Sequence, residues 1–126
     1  MRVIRLAWLG IPTNNYPAMV SFLRDTMGLR VEFDEPATTE LSLPNDDRLQ
    51  VFAPGHPYFA FFQDHAQGLV PLFEVEDAQQ AAAELRAAGA DVIGNPDSDG
   101  NWTWIHVRAP DGNLYEFASR SRGGPD

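Results

Sequence analysis

The chain has 126 residues, with 9 basic and 18 acidic side chains, a formal charge of −9 and a pI of about 4.6. Every basic side chain is Arg, and there is no Cys, which excludes disulfides, thiolate nucleophiles and Cys-ligated zinc or iron–sulfur centres. So acidic a surface repels polyanions, and the sequence has no apolar leader and no run of ~18 apolar residues; nucleic acid and membrane are therefore not expected partners, and the cytoplasm is the expected compartment.

An apolar run from Ile4 to Ile11 predicts a first strand. Pro12-Thr13-Asn14-Asn15 then suits a loop and a helix N-cap, and Pro17 fits a first helical turn. Met19, Val20, Leu23 and Met27 recur at helical spacing until Gly28 ends the run. Strands are predicted at Leu29–Asp34, Thr39–Leu43 and Leu49–Phe52, separated by proline-, asparagine- and glycine-rich turns. After Gly55–Gly68, an aromatic linker holding His56 and His65, the plan repeats. Leu69–Val75 predicts a strand and Asp77 caps an alanine-rich helix over Ala78–Ala88 that Gly89 ends. Strands follow at Asp91–Ile93, Trp102–Arg108 and Asn113–Ser119, the last two joined by the turn Ala109-Pro110-Asp111-Gly112.

Each half thus reads β-α-β-β-β, with Gly28 and Gly89 offset by about 61 residues. A module of about 60 residues buries too little surface to stand comfortably alone. The expected fold is α+β: one domain over residues 1–120, made of module one (about 3–54), linker (55–68) and module two (about 69–119). Paired modules would form a curved eight-stranded mixed sheet, with two principal helices on one face and a ligand cup on the other. The tail, Ser121–Asp126, is expected to fray.

Four segments carry a resemblance: Trp8-Leu9-Gly10-Ile11-Pro12, Phe22 to Leu29, Leu72-Phe73-Glu74-Val75-Glu76-Asp77, and Arg108 to Phe117. In this order and spacing the chain resembles the vicinal oxygen chelate superfamily, which holds glyoxalase I, extradiol dioxygenases, fosfomycin-resistance enzymes, methylmalonyl-CoA epimerase and bleomycin-resistance proteins. The resemblance implies a metal ligand on each of four strands. Carried over position by position, these fall on Trp8, Gln50, Val70 and Glu116. An indole offers no lone pair and a valine no donor, so two of the four are lost and no metal or other cofactor is expected.

Alternation decides which side chains face the cup. With Glu116 inward, Leu114 and Ala118 join it, while Tyr115 and Phe117 turn to the helices. Ile105 and Val107 read as helix-facing, which leaves Trp102, Trp104, His106 and Arg108 inward. The other module offers Leu6, Trp8, Gln50 and Phe52 inward, with Ala7, Leu9 and Ile11 packed on helices. His106 and Glu116 are the candidate acid–base pair. Trp8, Gln50, Phe52, Trp102, Trp104 and Arg108 are the candidate ligand contacts, with aromatic faces suited to flat or cationic molecules. His56 and His65 read as lid or subunit-contact residues rather than metal ligands.

The leading function is a metal-independent protein that binds a small aromatic or cationic organic molecule. The alternatives are a lyase, isomerase or dioxygenase with a relocated metal site (His106, Glu116, Gln50 and His56), metal-free chemistry on His106 and Glu116, or an interaction module with no ligand. Sheet edges and the aromatic linker favour a homodimer.

Overall fold

In the computed structural model, which describes residues 1–121, the hydrophobic periodicities become eight strands and three α-helices. In chain order these are β1 (Val3–Pro12), α1 (Tyr16–Ser21), a π-helical turn (Phe22–Thr26), β2 (Arg30–Glu35), β3 (Thr38–Ser42), β4 (Arg48–Phe52), α2 (Phe59–His65), β5 (Val70–Val75), α3 (Ala78–Ala87), β6 (Asp91–Ser98), β7 (Trp102–Arg108) and β8 (Leu114–Arg120). The strands hydrogen-bond in the order β2-β3-β4-β1-β5-β8-β7-β6, a mixed α+β sheet. The chain divides into two compact units, Ala7–Val70 and Met1–Leu6 with the chain from Pro71, so β1 gives a segment to each. Of the tail expected to fray, all but Ser121 lies outside the described residues.

In the Ala7–Val70 unit, β1 runs parallel to β4, and β3 pairs antiparallel with both β4 and β2. Val20 and Leu23 bury themselves against Leu41 and Val51, with Ile11, Met19 and Leu49 packed around them. The sequence predicts one helix ending at Gly28, but six α-helical residues pass into a π turn. There Met27 N–H reaches Phe22 O at 3.0 Å and Leu29 N–H reaches Leu23 O at 3.0 Å. The wider turn keeps Leu23 in the core at 3% exposure, and Gly28, at φ +75°, turns the chain toward β2.

The expected linker contains α2, a third helix. Phe59 and Phe62, three residues apart, are both buried, and Phe62 meets Phe52 edge-on at 5.0 Å. Aromatic residues have modest helix propensity, so burial of one face, rather than local preference, makes this helix. His56 precedes it. Its Nδ1 accepts from Tyr58 N–H at 3.1 Å, and its ring stands edge-on to Phe52 at 4.8 Å. Burial pushes this imidazole below its ordinary range, against a weaker opposing pull from Glu35.

In the other unit β5 runs parallel to β8, and β7 pairs antiparallel with both β8 and β6. Ala78, Ala81 and Ala82 of α3 bury against Val75, Ile105 and Val107. Asp77 caps α3 by accepting from Gln80 N–H at 3.1 Å, and Ala78 N–H donates to Ser119 Oγ at 2.9 Å, which ties the helix start to β8. β6 runs to Ser98, five residues past the predicted end at Ile93. Its register shifts between Ile93 and Asp97, around Gly94 and Pro96. On an outermost strand such breakers distort pairing without ending it.

Leu41 and Ile105 are 0% and 1% exposed in separate cores. Each truncation to Ala should lower the unfolding free energy by about 2–5 kcal/mol, measured by urea denaturation. His56 has a folded-state pKa below its ordinary 6.5, so its stabilising contribution is complete above that pH and is lost as pH falls through the folded value. His56→Asn keeps an acceptor for Tyr58 N–H but cannot take up a proton. It should therefore lose less stability than the parent between about pH 7 and about pH 5, read from denaturation midpoints.

Candidate functional site

Because Ile105, Val107 and Phe117 pack against α3, the alternate residues of β7 and β8 lie on the opposite face. The register places Trp102 opposite Arg120, Trp104 opposite Ala118, His106 opposite Glu116 and Arg108 opposite Leu114. The expected parity therefore holds, and Trp102, Trp104, His106, Arg108 and Glu116 share one face. His106 Nε2 stands 3.2 Å from Glu116 Oε1, with only 8% and 7% of the two side chains exposed. Glu116 Oε2 is buried and has no hydrogen-bond partner among the described residues. Burying a carboxylate oxygen without a donor is costly, so this atom is a strong acceptor for any N–H or O–H that reaches it.

The same face carries charged residues that motif reading missed. Arg120 sets its guanidinium 4.5 Å over the Trp102 ring. Glu74 of β5 lies in register with Ala118 and is buried, accepting from Arg5 Nε at 2.8 Å with Arg120 Nε at 3.6 Å. Register arithmetic alone places Glu74 and Arg120 on this face, and that was the signal available in the sequence. Arg108, expected to contact a ligand, lies 3.4 Å from Asp91 across the β6–β7 pair. On the α3 side, Thr103, Ser119 and Ser121 help line a polar cavity of ~520 Å³ rimmed by Glu76, Asp77 and Asp97.

In the Ala7–Val70 unit, Leu49 and Val51 face the helix core, which leaves Gln50 and Phe52 on the other face. Gln50 Nε2 donates to Thr38 Oγ1 at 2.9 Å, so its amide nitrogen is engaged with β3. Trp8 lies over Gly10: a Cβ there would come within 3.0 Å of its Cζ3 and 3.3 Å of Phe52 Cε2. Phe52 is thus the centre of an aromatic cluster with Trp8, His56 and Phe62 around it, the Trp8 and Phe52 centroids 6.1 Å apart. Arg48, which the sequence reading passed over, gathers Glu40 at 2.6 Å and Asp46 at 2.8 Å. His65 packs its ring 4.5 Å from Phe61.

At the four positions where the resemblance expects metal ligands, the chemistry does not fit a metal. Trp8 offers only an N–H and Val70 is an apolar residue with 0% exposure, which leaves the neutral Gln50 amide oxygen and the Glu116 carboxylate, paired with His106, as the two donors of the four positions. Among the described residues no group of three or more His, Asp or Glu is arranged to hold a metal ion. Among them, too, no helix is long and apolar enough to cross a membrane.

The solved structures this chain is similar to share its fold at low identity. A hypothetical protein from Bacillus halodurans C-125 superposes with a TM-score of 0.73 at 18% identity, covering 97% of this chain and 98% of that one. A glyoxalase/bleomycin resistance protein/dioxygenase superfamily member from Vibrio splendidus 12B01 gives 0.71 at 18%, covering 95% and 98%. Methylmalonyl-CoA epimerase from Streptomyces coelicolor, in complex with 2-nitronate-propionyl-CoA, gives 0.70 at 19%, covering 95% and 99%. No curated protein matches the chain. The family profile described as Glyoxalase/Bleomycin resistance protein/Dioxygenase superfamily matches residues 5–117, nearly the whole length, and the chain belongs to that superfamily.

Proposed function

We propose that this chain is a metal-independent small-molecule binding protein that takes an aromatic or cationic organic ligand. The observation that carries the reading is the donor set: Trp8 and Val70 stand where ligand-bearing side chains are needed, and neither has a lone pair to give. The stripe of Trp102, Trp104 and His106, with Arg108 beyond, supports an aromatic wall in one unit, and Trp8, Gln50 and Phe52 supply contacts in the other. Arg120 lies 4.5 Å over the Trp102 ring and occupies one face of that indole. The protein works as a cytoplasmic homodimer in this reading, which accounts for the half-exposed Val3, Ile4, Leu6, Phe22 and Met27.

A second reading has its own observation. The 3.2 Å His106–Glu116 pair is placed for acid–base chemistry without a metal, as in a lyase or isomerase step that moves a proton on a bound molecule. His106→Gln and Glu116→Gln would then abolish turnover while leaving ligand affinity within a few-fold.

Screening flat organic ligands by indole fluorescence tests the first reading. Trp104→Ala should weaken a hit by about 2- to 30-fold, the value of one stacking contact. Elemental analysis of the purified protein should find no stoichiometric transition metal. One metal per chain, lost in Glu116→Ala, would overturn the reading.

A further inference from the structure

We propose that α2 is a lid over Phe52, latched shut by the neutral His56 imidazole and released when that ring takes up a proton. The inference goes beyond the binding reading above and is tested on the protein alone. The sequence places Phe52 among the ligand contacts, yet Phe52 is only 3% exposed. His56 covers its ring edge-on at 4.8 Å and Phe62 of α2 covers it at 5.0 Å. Whatever reaches Phe52 must first displace that cover.

The cover is built to move. Helix α2 has seven residues, too few to persist without packing. It lies between Gly55 and Gly68, residues whose backbone absorbs rotation readily. Phe59, Phe62 and Gln63 of the helix also border a cavity of ~370 Å³ that they share with Thr13 and Asn14. Part of the helix surface is therefore not packed against the rest of its unit.

The latch is one hydrogen bond with a single workable protonation state. His56 Nδ1 accepts from Tyr58 N–H at 3.1 Å, at the residue that caps the start of α2, and His56 O accepts from Phe59 N–H at 3.0 Å. A neutral imidazole accepts at Nδ1 only with its proton on Nε2. Protonation puts an N–H on Nδ1 as well, aimed at the Tyr58 N–H, and the bond becomes a clash of two donors. The ring must then leave, which uncovers Phe52 and takes the acceptor away from the start of α2. Facing the imidazole are Phe52 of β4, the Tyr58 ring at 6.4 Å and, from the end of β2, the Glu35 carboxylate. Glu35 favours the charged ring, but less than burial opposes it. Asp64 and His65 lie at the opposite end of α2, where His65 packs on Phe61.

Hydrogen exchange followed by NMR, corrected for the intrinsic rate at each pH, reads the lid directly. Phe62 N–H donates to Tyr58 O at 3.0 Å and Ala66 N–H to Phe62 O at 2.7 Å, and these two amides report on α2. From pH 7 to pH 5 their protection should fall about 10-fold further than that of the α3 amides. In His56→Asn, whose Oδ1 keeps the acceptor and does not titrate, the extra fall should vanish. In Glu35→Gln, which removes the charge favouring the imidazolium, it should deepen. His65→Asn should leave it unchanged. Equal falls in α2 and α3 would mean that only global unfolding responds to pH, and would overturn the latch. So would the same extra fall in His56→Asn, or its loss in His65→Asn. Should His56→Asn not fold, a Glu35→Gln profile identical to the parent's would overturn the latch by itself.

Discussion

The two-residue period of β7 and β8 governs the candidate site, because the same alternation that sends Ile105 and Val107 under α3 sends Trp104 and His106 to the other face. A slip of one residue would bury the indole and imidazole beneath a helix made of alanines and expose the branched aliphatics instead. Burying a side chain such as Ile105 or Val107 is worth about 1.5–3 kcal/mol. The His106–Glu116 contact, which must repay the desolvation of both partners, supplies far less net stability. Hydrophobic packing on one side of the sheet therefore holds the polar pair on the other side in place.

The Ala7–Val70 unit obeys the same alternation with different chemistry. Leu49 and Val51 turn to the helix, and Gln50 and Phe52 turn away. Gly10 gives Trp8 room along the strand, since a Cβ there would stand 3.0 Å from the indole and push it aside by a few tenths of an ångström. A glycine inside a strand weakens it, so that position trades local stability for an aromatic surface. Where a lone-pair donor would otherwise project, an indole stands tilted at 52° to Phe52 with the ring centroids 6.1 Å apart. The indole offers an apolar face and a single N–H where the resemblance would place a lone-pair donor.

Much of this was legible in the residues. Seven of the eight strands begin and end within one or two residues of their periodic signals, and the inward set on β7 and β8 followed from parity alone. What escaped did so for identifiable reasons. Helix α2 is built from Phe59, Ala60, Phe61 and Phe62, whose composition reads as a sticky loop until Phe52 supplies a surface for it. The π turn at Phe22–Thr26 keeps the i, i+4 apolar spacing of an ordinary helix, so nothing in the pattern marks the extra residue. β6 was cut short at Gly94 and Pro96, which bend an outermost strand but do not end it. Glu74 and Arg120 were missed because each sits among conventional surface charges in the sequence. Only the cross-strand register brings one carboxylate between two guanidinium groups beside an indole.

That arrangement also resolves an apparent conflict of charge. A net charge of −9 argues that the molecule as a whole repels anions. Yet at physiological ionic strength the field of an exposed charge is screened over about 8 Å, so a ligand already seated on the face responds to its immediate neighbours. Around Trp102 those include Arg120, with Glu74 and Arg5 behind it, and the Asp99 carboxylate, which accepts from Trp102 N–H at 2.8 Å. Farther along the row the buried Glu116 carboxylate makes the opposite demand, since its second oxygen needs a donor. Net charge slows the approach of an anion, whereas local charge sets the orientation in which a bound molecule rests. The register of β7 and β8 thus sets a guanidinium at one end of this face and a buried carboxylate toward the other, two opposite charges fixed by the same alternation.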